Sequence, residues 1–283
     1  MYAACSTDAL GFPIPISEAA VQIAQAGFRS VVLNDLPRDS ALPLEEMQAL
    51  LARTGLSPSA FKLSVEFRES KHQFEEEFKA FRAVSDYAER LGIRRCFSFV
   101  KPFSQERTYL ENFRLHCERL KDVALLLADH GMVLALEFVG PPSLRTHTKY
   151  SFIHTLEELL ELCAAIGTGN CLPLLDSYHW DLAGQTPEDF RKLSGGGQIG
   201  LVHVNDAPAG IARELQEDMV RCLPGETGVL KIQAFMDGIA AAGYDGPVVV
   251  EPFSKRLTQM PFEEALRETA ASLKKIGVPM ERE

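Results

Sequence analysis

What most constrains this chain is an alternation kept from one end to the other: eight short apolar runs of β type, separated by longer stretches of helical periodicity. The runs are Tyr2–Cys5, Ser30–Asn34, Ala60–Val65, Arg95–Val100, Val133–Val139, Cys171–Asp176, Leu201–Asn205 and Val248–Pro252. Strands so far apart in sequence are joined by crossovers rather than tight turns, which makes the sheet parallel. The separating stretches carry helix punctuation. Leu110, Phe113, Cys117, Leu120, Ala124 and Leu127 form one apolar stripe. Thr155 and Glu158 make a capping-box pattern, and Gly167 stands where a left-handed residue closes a helix. Thr186-Pro187-Glu188-Asp189 places an N-cap, a first-turn proline and acids in order, and Phe262, Leu266, Thr269, Leu273 and Ile276 form a last stripe, stopped by Gly277 and Pro279.

Eight such units in 283 residues, with no linker or break in composition, predict an α/β fold: one (β/α)8 TIM barrel over residues 1–283. The rival, an open doubly wound sheet, lacks its Gly-x-Gly-x-x-Gly signature after the first strand. Gly195-Gly196-Gly197 follows a helical pattern and reads as a flexible turn into the next strand.

Composition narrows the function classes. A formal net charge of −10 disfavours nucleic acid and anionic membrane as partners. No run of about 18 apolar residues offers a membrane span, and the N-terminus has no signal-peptide pattern. The six cysteines are scattered without a Cys-x-x-Cys pair and read as reduced thiols, so a cytoplasmic location is expected. The apolar outer helices permit a homo-oligomer.

In a parallel barrel the site lies where the strands end, because the βα loops converge there. Four successive strands end alike: four apolar residues and then Glu137, Pro173-Leu174-Leu175 and then Asp176, Leu201-Val202 and then His203, Val248-Val249-Val250 and then Glu251. One carboxylate at a strand end commonly caps a loop or pairs with a base. Three in one mouth repel each other unless a cation holds them. Three hard oxygens and an imidazole suit one divalent ion, Mn, Mg, Co or Zn, with positions left for substrate oxygens.

The segments LALEFVG, LLDSYHW, LVHVNDAP, LPGETG and VVVEPF resemble the sugar phosphate isomerase/epimerase superfamily, the xylose isomerase-like barrels. The resemblance implies Glu137, Asp176, His203 and Glu251 as metal ligands. It implies substrate contacts from His179, in Asp176-x-x-His179, and from Asp206, in His203-x-x-Asp206. It also implies an arginine before the rim loop Leu223–Gly228; Arg213 and Arg221 both qualify, and the sequence does not choose between them. Lys101, after strand four, is a further candidate electrophile, and Arg145, His147 and Lys149 sit in a long loop after strand five that could serve as a lid. The three-metal endonuclease relatives need histidines on earlier strands that are absent here, where strand three is expected to end Ser64-Val65-Glu66. A small sugar or polyol is therefore the expected substrate.

The expected reaction is isomerisation or epimerisation of a ketose, keto-polyol or related hydroxy-carbonyl compound through a metal-stabilised cis-enediolate, with Glu137 and Glu251 moving the proton. The alternative is a dehydratase acting on an inosose- or dehydroshikimate-like substrate, with His179 as the acid. A non-catalytic sugar-binding barrel and a repair endonuclease rank below both.

Overall fold

The structure is a computed structural model that describes residues 1–34, 36, 42–193 and 198–281. Gly195-Gly196-Gly197 lies outside the described residues. Eight strands form one sheet: β1 Tyr2–Ala4, β2 Ser30–Leu33, β3 Ser57–Lys62, β4 Arg95–Val100, β5 Val133–Phe138, β6 Cys171–Asp176, β7 Leu201–Val204 and β8 Pro247–Val250. Neighbours are parallel in the order β1-β8-β7-β6-β5-β4-β3-β2. The sheet closes where β1 meets β2: Cys5 bridges Val31, its N–H donating to the Ser30 carbonyl at 2.9 Å while Val32 N–H donates to the Cys5 carbonyl at 2.8 Å. The (β/α)8 barrel expected from the alternation is the fold observed.

The helices are α1 Ile16–Gln25, α2 Leu44–Thr54, α3 Lys71–Arg90, α4 Tyr109–Asp129, α5 Leu156–Ile166, α6 Ser177–Leu182, α7 Ile232–Ala241, α8 Lys255–Thr258 and α9 Phe262–Lys275. The Thr155–Glu158 capping box opens α5 and Gly167, at φ 73°, closes it. Thr186 and Asp189 cap a single 3-10 segment, Pro187–Lys192, rather than a full α-helix.

Strand residues alternate between two cores. Val31, Phe61, Cys96, Leu134, Leu175, Val202 and Val248 face outward into the main core shared with the helices. Ala4, Val32, Ala60, Ala135, Leu174, Leu201 and Val249 face inward, with Phe97 packed against them. That is one residue from each strand, and together they plug the barrel. Two residues further along each strand, alternation returns to the inner face, one layer nearer the mouth. This layer is Ser6, Asn34, Lys62, Phe99, Glu137, Asp176, His203 and Glu251.

The third strand differs from expectation by three residues. It runs Ser57–Lys62, not Ala60–Val65, and includes Pro58. Proline cannot donate to a ladder and is tolerated in a sheet at a bulge. Here the β2–β3 register shifts between Val31 and Val32, which pair with Pro58 and Ala60, and the Ser59 hydroxyl bonds the Val31 carbonyl at 3.1 Å. The residue that β3 delivers to the mouth is consequently Lys62, whereas Glu66 lies past the strand, fork-bonded at 2.7 Å to Arg68.

Candidate metal centre

At the mouth, the four residues from consecutive strands converge. One ligand-type atom from each of Glu137, Asp176, His203 and Glu251 lies within 4.8 Å of the others. His203 Nδ1 is 3.5 Å from Glu137 Oε1 and 3.5 Å from Glu251 Oε2. Glu137, Asp176 and His203 are buried, and both Glu137 Oε1 and His203 Nδ1 lack a hydrogen-bond partner. Buried polar atoms without partners are costly, and two of them facing each other across a gap too long for a hydrogen bond suit a cation between them.

Electrostatics agree. Burial opposes protonation of His203, but Glu251 and Glu137 outweigh it and lift the imidazole to about 10, so that in the protein alone a proton supplies the positive charge the cluster needs. Burial raises the Glu137 carboxyl above its ordinary value despite the nearby histidines. Glu251 and Asp176 move the other way: burial would raise both, but His203 and Arg221 hold Glu251 below its usual value, and Arg221, with the two histidines, does the same for Asp176.

Asp176 is the most constrained of the four. Oδ1 accepts from the backbone N–H of Tyr178 at 2.6 Å and caps α6, Oδ2 accepts from Arg221 at 3.0 Å, and Asn205 Nδ2 reaches both oxygens. Capping by Asp176 starts α6 immediately at the strand end and places His179 at the site. Gly140 makes room for this helix, since a Cβ there would lie 2.1 Å from the His179 carbonyl oxygen.

A cavity of about 320 Å³ opens above the cluster. Its walls include Phe97, Phe99, Val139, Met219 and Phe253, and its polar groups include Asp8, Asn34, Lys62, His179, Asp218 and Arg221. Of the two arginines the sequence left open, Arg221 is the one brought here. It is buried, donates to Asp176, to Glu251 Oε2 at 3.1 Å, to Asp218 Oδ1 at 2.6 Å and to His179 Nε2 at 3.3 Å, and lies 4.7 Å from the ring centres of both Tyr178 and Phe253. Arg213 pairs with Asp181 at 3.3 Å, with 43% of its side chain exposed, and does not line the cavity.

Two further expectations meet a different geometry. Asp206 is wholly buried, and its carboxylate accepts from the backbone N–H groups of Ala207, Thr227, Gly228 and Leu230 at 2.7–3.0 Å, so it ties down the rim loop rather than facing a substrate. Lys101 is exposed in a separate depression with Arg68, Arg107 and His116. The chain turns away there: Phe103–Ser104 pairs antiparallel with Tyr150–Ser151, drawing the segment after β4 off the barrel axis. Arg145, His147 and Lys149 do not line the cavity either.

Sequence reasoning missed Lys62, Asp218 and the aromatic wall. Alternation from Ala60 would have found Lys62 had the strand been started at Ser57. All six cysteines are free thiols, and among the described residues no helix is long and apolar enough to cross a membrane.

Similar proteins place these features in a family. An inosose isomerase of Bacillus velezensis is 25% identical over 199 residues, 69% of this chain and about two thirds (66%) of that protein. A putative hydroxypyruvate isomerase of Streptomyces coelicolor is 28% identical, covering 84% of this chain and 85% of that protein. A crystal structure of IOLI protein with a bound zinc atom superposes with a TM-score of 0.83 at 17% identity, covering 98% of each chain. The family model described as xylose isomerase-like TIM barrel matches residues 20–276. With eight parallel strands and four strand-end ligand-type residues in one cluster, this chain belongs to the xylose isomerase-like TIM barrel family.

Proposed function

We propose that this chain is a divalent-metal-dependent isomerase or epimerase of a small ketose or keto-polyol. The observation that carries the reading is that two glutamates, Glu137 and Glu251, flank His203 in a cluster of three carboxylates and one imidazole, and that these three residues line one cavity. The isomerases among its relatives support the reaction class, and the zinc in the similar structure supports a divalent ion. Glu137, Asp176, His203 and Glu251 would hold that ion. When bound, it supplies a Lewis acid that acidifies the C–H bond next to a substrate carbonyl.

The chain's own groups divide the remaining work. Glu137 Oε1 faces His203 at 3.5 Å while Oε2 lies on the cavity side, 4.0 Å from His179 Nε2, which leaves that oxygen to take the proton. Glu251 shares an oxygen with Arg221 and stays ionised, ready to act from the other side. Return of the proton to the other face of the same carbon gives an epimer, and return to the neighbouring carbon gives the isomer. Arg221 is oriented by Asp218 and clamped between two rings, a fixed donor for substrate oxygens. Phe97, Phe99 and Phe253 line the cavity and offer apolar surface to the C–H groups of a substrate. The dehydratase alternative asked His179 to act as an acid. His179 lines the cavity with Nε2 3.3 Å from Arg221, 3.7 Å from Asp218 and 4.0 Å from Glu137, a position from which it can reach a leaving hydroxyl, so the dehydratase is kept as the second reading, told apart by the appearance of an enone absorbance with an inosose.

The test is solvent exchange. Glu137→Gln and Glu251→Gln, loaded with Mn²⁺ and given inosose, hydroxypyruvate or a ketose in ²H₂O, should each retain the ion while turnover falls on the order of 10² to 10⁴. In a two-base epimerase each variant should still exchange the substrate proton from one epimer only, whereas a one-base isomerase should lose exchange in one variant alone. Near-normal turnover in both, with metal bound, rules the glutamate pair out.

A further inference from the structure

The inner-face layer that carries the four ligand-type residues has a second half. On β5 to β8 the layer holds Glu137, Asp176, His203 and Glu251; on β1 to β4 and just beyond them it holds Ser6, Asn34, Lys62 and Phe99. Lys62 sits two residues beyond Ala60, which belongs to the inner plug, so its side chain takes the inner face and lines the cavity. Among the described residues no hydrogen bond or ion pair joins its ammonium to the protein. Lys62 is exposed at the end of β3, so its ammonium is open to what enters the cavity.

The neighbours of Lys62 indicate what that is. Asp8 lines the same cavity. The Asn34 amide donates to the Ser6 hydroxyl at 3.1 Å, and its Oδ1 has no partner. Donors and acceptors are thus mixed, which matches hydroxyl groups, each able to give and take a hydrogen bond. An anionic group would share the cavity with the Asp8 carboxylate. With a dication bound, the carboxylates of Asp8, Glu137, Asp176, Asp218 and Glu251 still outnumber the charges of Arg221, Lys62 and the ion by one, so a neutral ligand is favoured. Phe99, in the same layer, offers an aromatic face for the C–H side of a sugar or cyclitol. The cavity of about 320 Å³ is far above the roughly 10–15 Å³ that admits a single water, which leaves room for more than a three-carbon keto acid.

We infer that Lys62 is a specificity-determining residue, whose ammonium, with Asp8 and Asn34, binds the hydroxyls of a neutral six-carbon polyol at the end remote from the metal centre. This rests on the function proposed above and narrows it: three-carbon keto acids engage only the metal half of the layer, whereas six-carbon keto-polyols engage both.

Titration calorimetry of the Mn²⁺-loaded protein with myo-inositol, an unreactive polyol, reads this binding directly. Lys62→Met should weaken myo-inositol by about 10- to 100-fold, the range for hydrogen bonds from a charged donor, and raise KM for an inosose by a similar factor with little change in kcat. Mn²⁺ stoichiometry should stay at the wild-type level, and Lys62→Arg should recover much of the polyol affinity. The inference is overturned if Lys62→Met binds myo-inositol as the wild type does, if it loses Mn²⁺, or if hydroxypyruvate suffers more than the inosose, which would mark an anion site. A wild type that neither binds myo-inositol nor converts any of these compounds would overturn the proposed function as well. Conversion by a wild type whose Lys62→Met form is unaltered would overturn this inference alone.

Discussion

Replacing Arg221 by methionine tests whether the cluster is held together by positive charge. The guanidinium is buried, 3.0 Å from Asp176, 3.1 Å from Glu251 and 2.6 Å from Asp218, and methionine keeps an unbranched stem between Tyr178 and Phe253 while removing the charge. Breaking a buried ion pair from one side costs about 3–5 kcal/mol, because the partner charge is left uncompensated. In a domain of this size 1 kcal/mol corresponds to roughly 2–4 °C in Tm, so the metal-free variant should melt about 6 °C or more below the wild type. A divalent ion at Glu137, Asp176, His203 and Glu251 would restore compensation to two of the three carboxylates. The site is also one charge more negative in the variant, so it should bind the ion more tightly. Thermal melts in chelator and in saturating Mn²⁺ then give a double difference: the metal-induced rise in Tm should be larger in Arg221→Met than in the wild type, where a ligand at 100 times its Kd adds about 2.7 kcal/mol. Equal rises in the two proteins, or a metal-free variant as stable as the wild type, would refute the electrostatic account.

Other consequences are more local. His203→Ala removes the imidazole between Glu137 and Glu251 and should abolish tight stoichiometric metal binding by elemental analysis; a variant that keeps one ion per chain and full activity would show that the ligand set is wrong. Asp206→Ala strips the acceptor from four backbone N–H groups and should destabilise the fold by about 3 kcal/mol in urea while speeding proteolysis between residues 207 and 230; an unchanged cleavage rate would disprove the tie. Burial depresses His116 to about 4, so the unfolded chain binds a proton that the folded chain refuses. The His116 contribution to stability is therefore present above the unfolded value near 6.5 and is lost as pH falls towards 4, at most on the order of 3 kcal/mol. His116→Phe, between Phe67 and Phe152, should flatten that loss in urea titrations at pH 7 and pH 4.5; parallel losses in the two proteins would contradict it.

The barrel and the four strand-end ligand candidates were legible in the chain because both rest on local periodicity. A strand's side chains alternate with period two, so a polar residue after an inward apolar one must face the mouth once the strand is parallel and its end is known. Glu137, Asp176, His203 and Glu251 follow Ala135, Leu174, Leu201 and Val249 in that way. Lys62 follows Ala60 by the same rule, yet was hidden because the third strand was expected to run on to Val65, and only pairing with β2, with a register shift that accommodates Pro58, shows that it starts at Ser57 and ends at Lys62. The choice between Arg213 and Arg221, the fixing of Asp206 under the rim loop and the turning away of Lys101 had no local signal at all. Each depends on where a loop folds back against distant residues: Asp206 against Thr227 to Leu230, Arg221 against Asp176 and Glu251, Phe103–Ser104 against Tyr150–Ser151. Periodicity records which face a residue takes within its own element, whereas long-range contacts, whose partners share no spacing in the chain, decide which of the polar side chains finally meet.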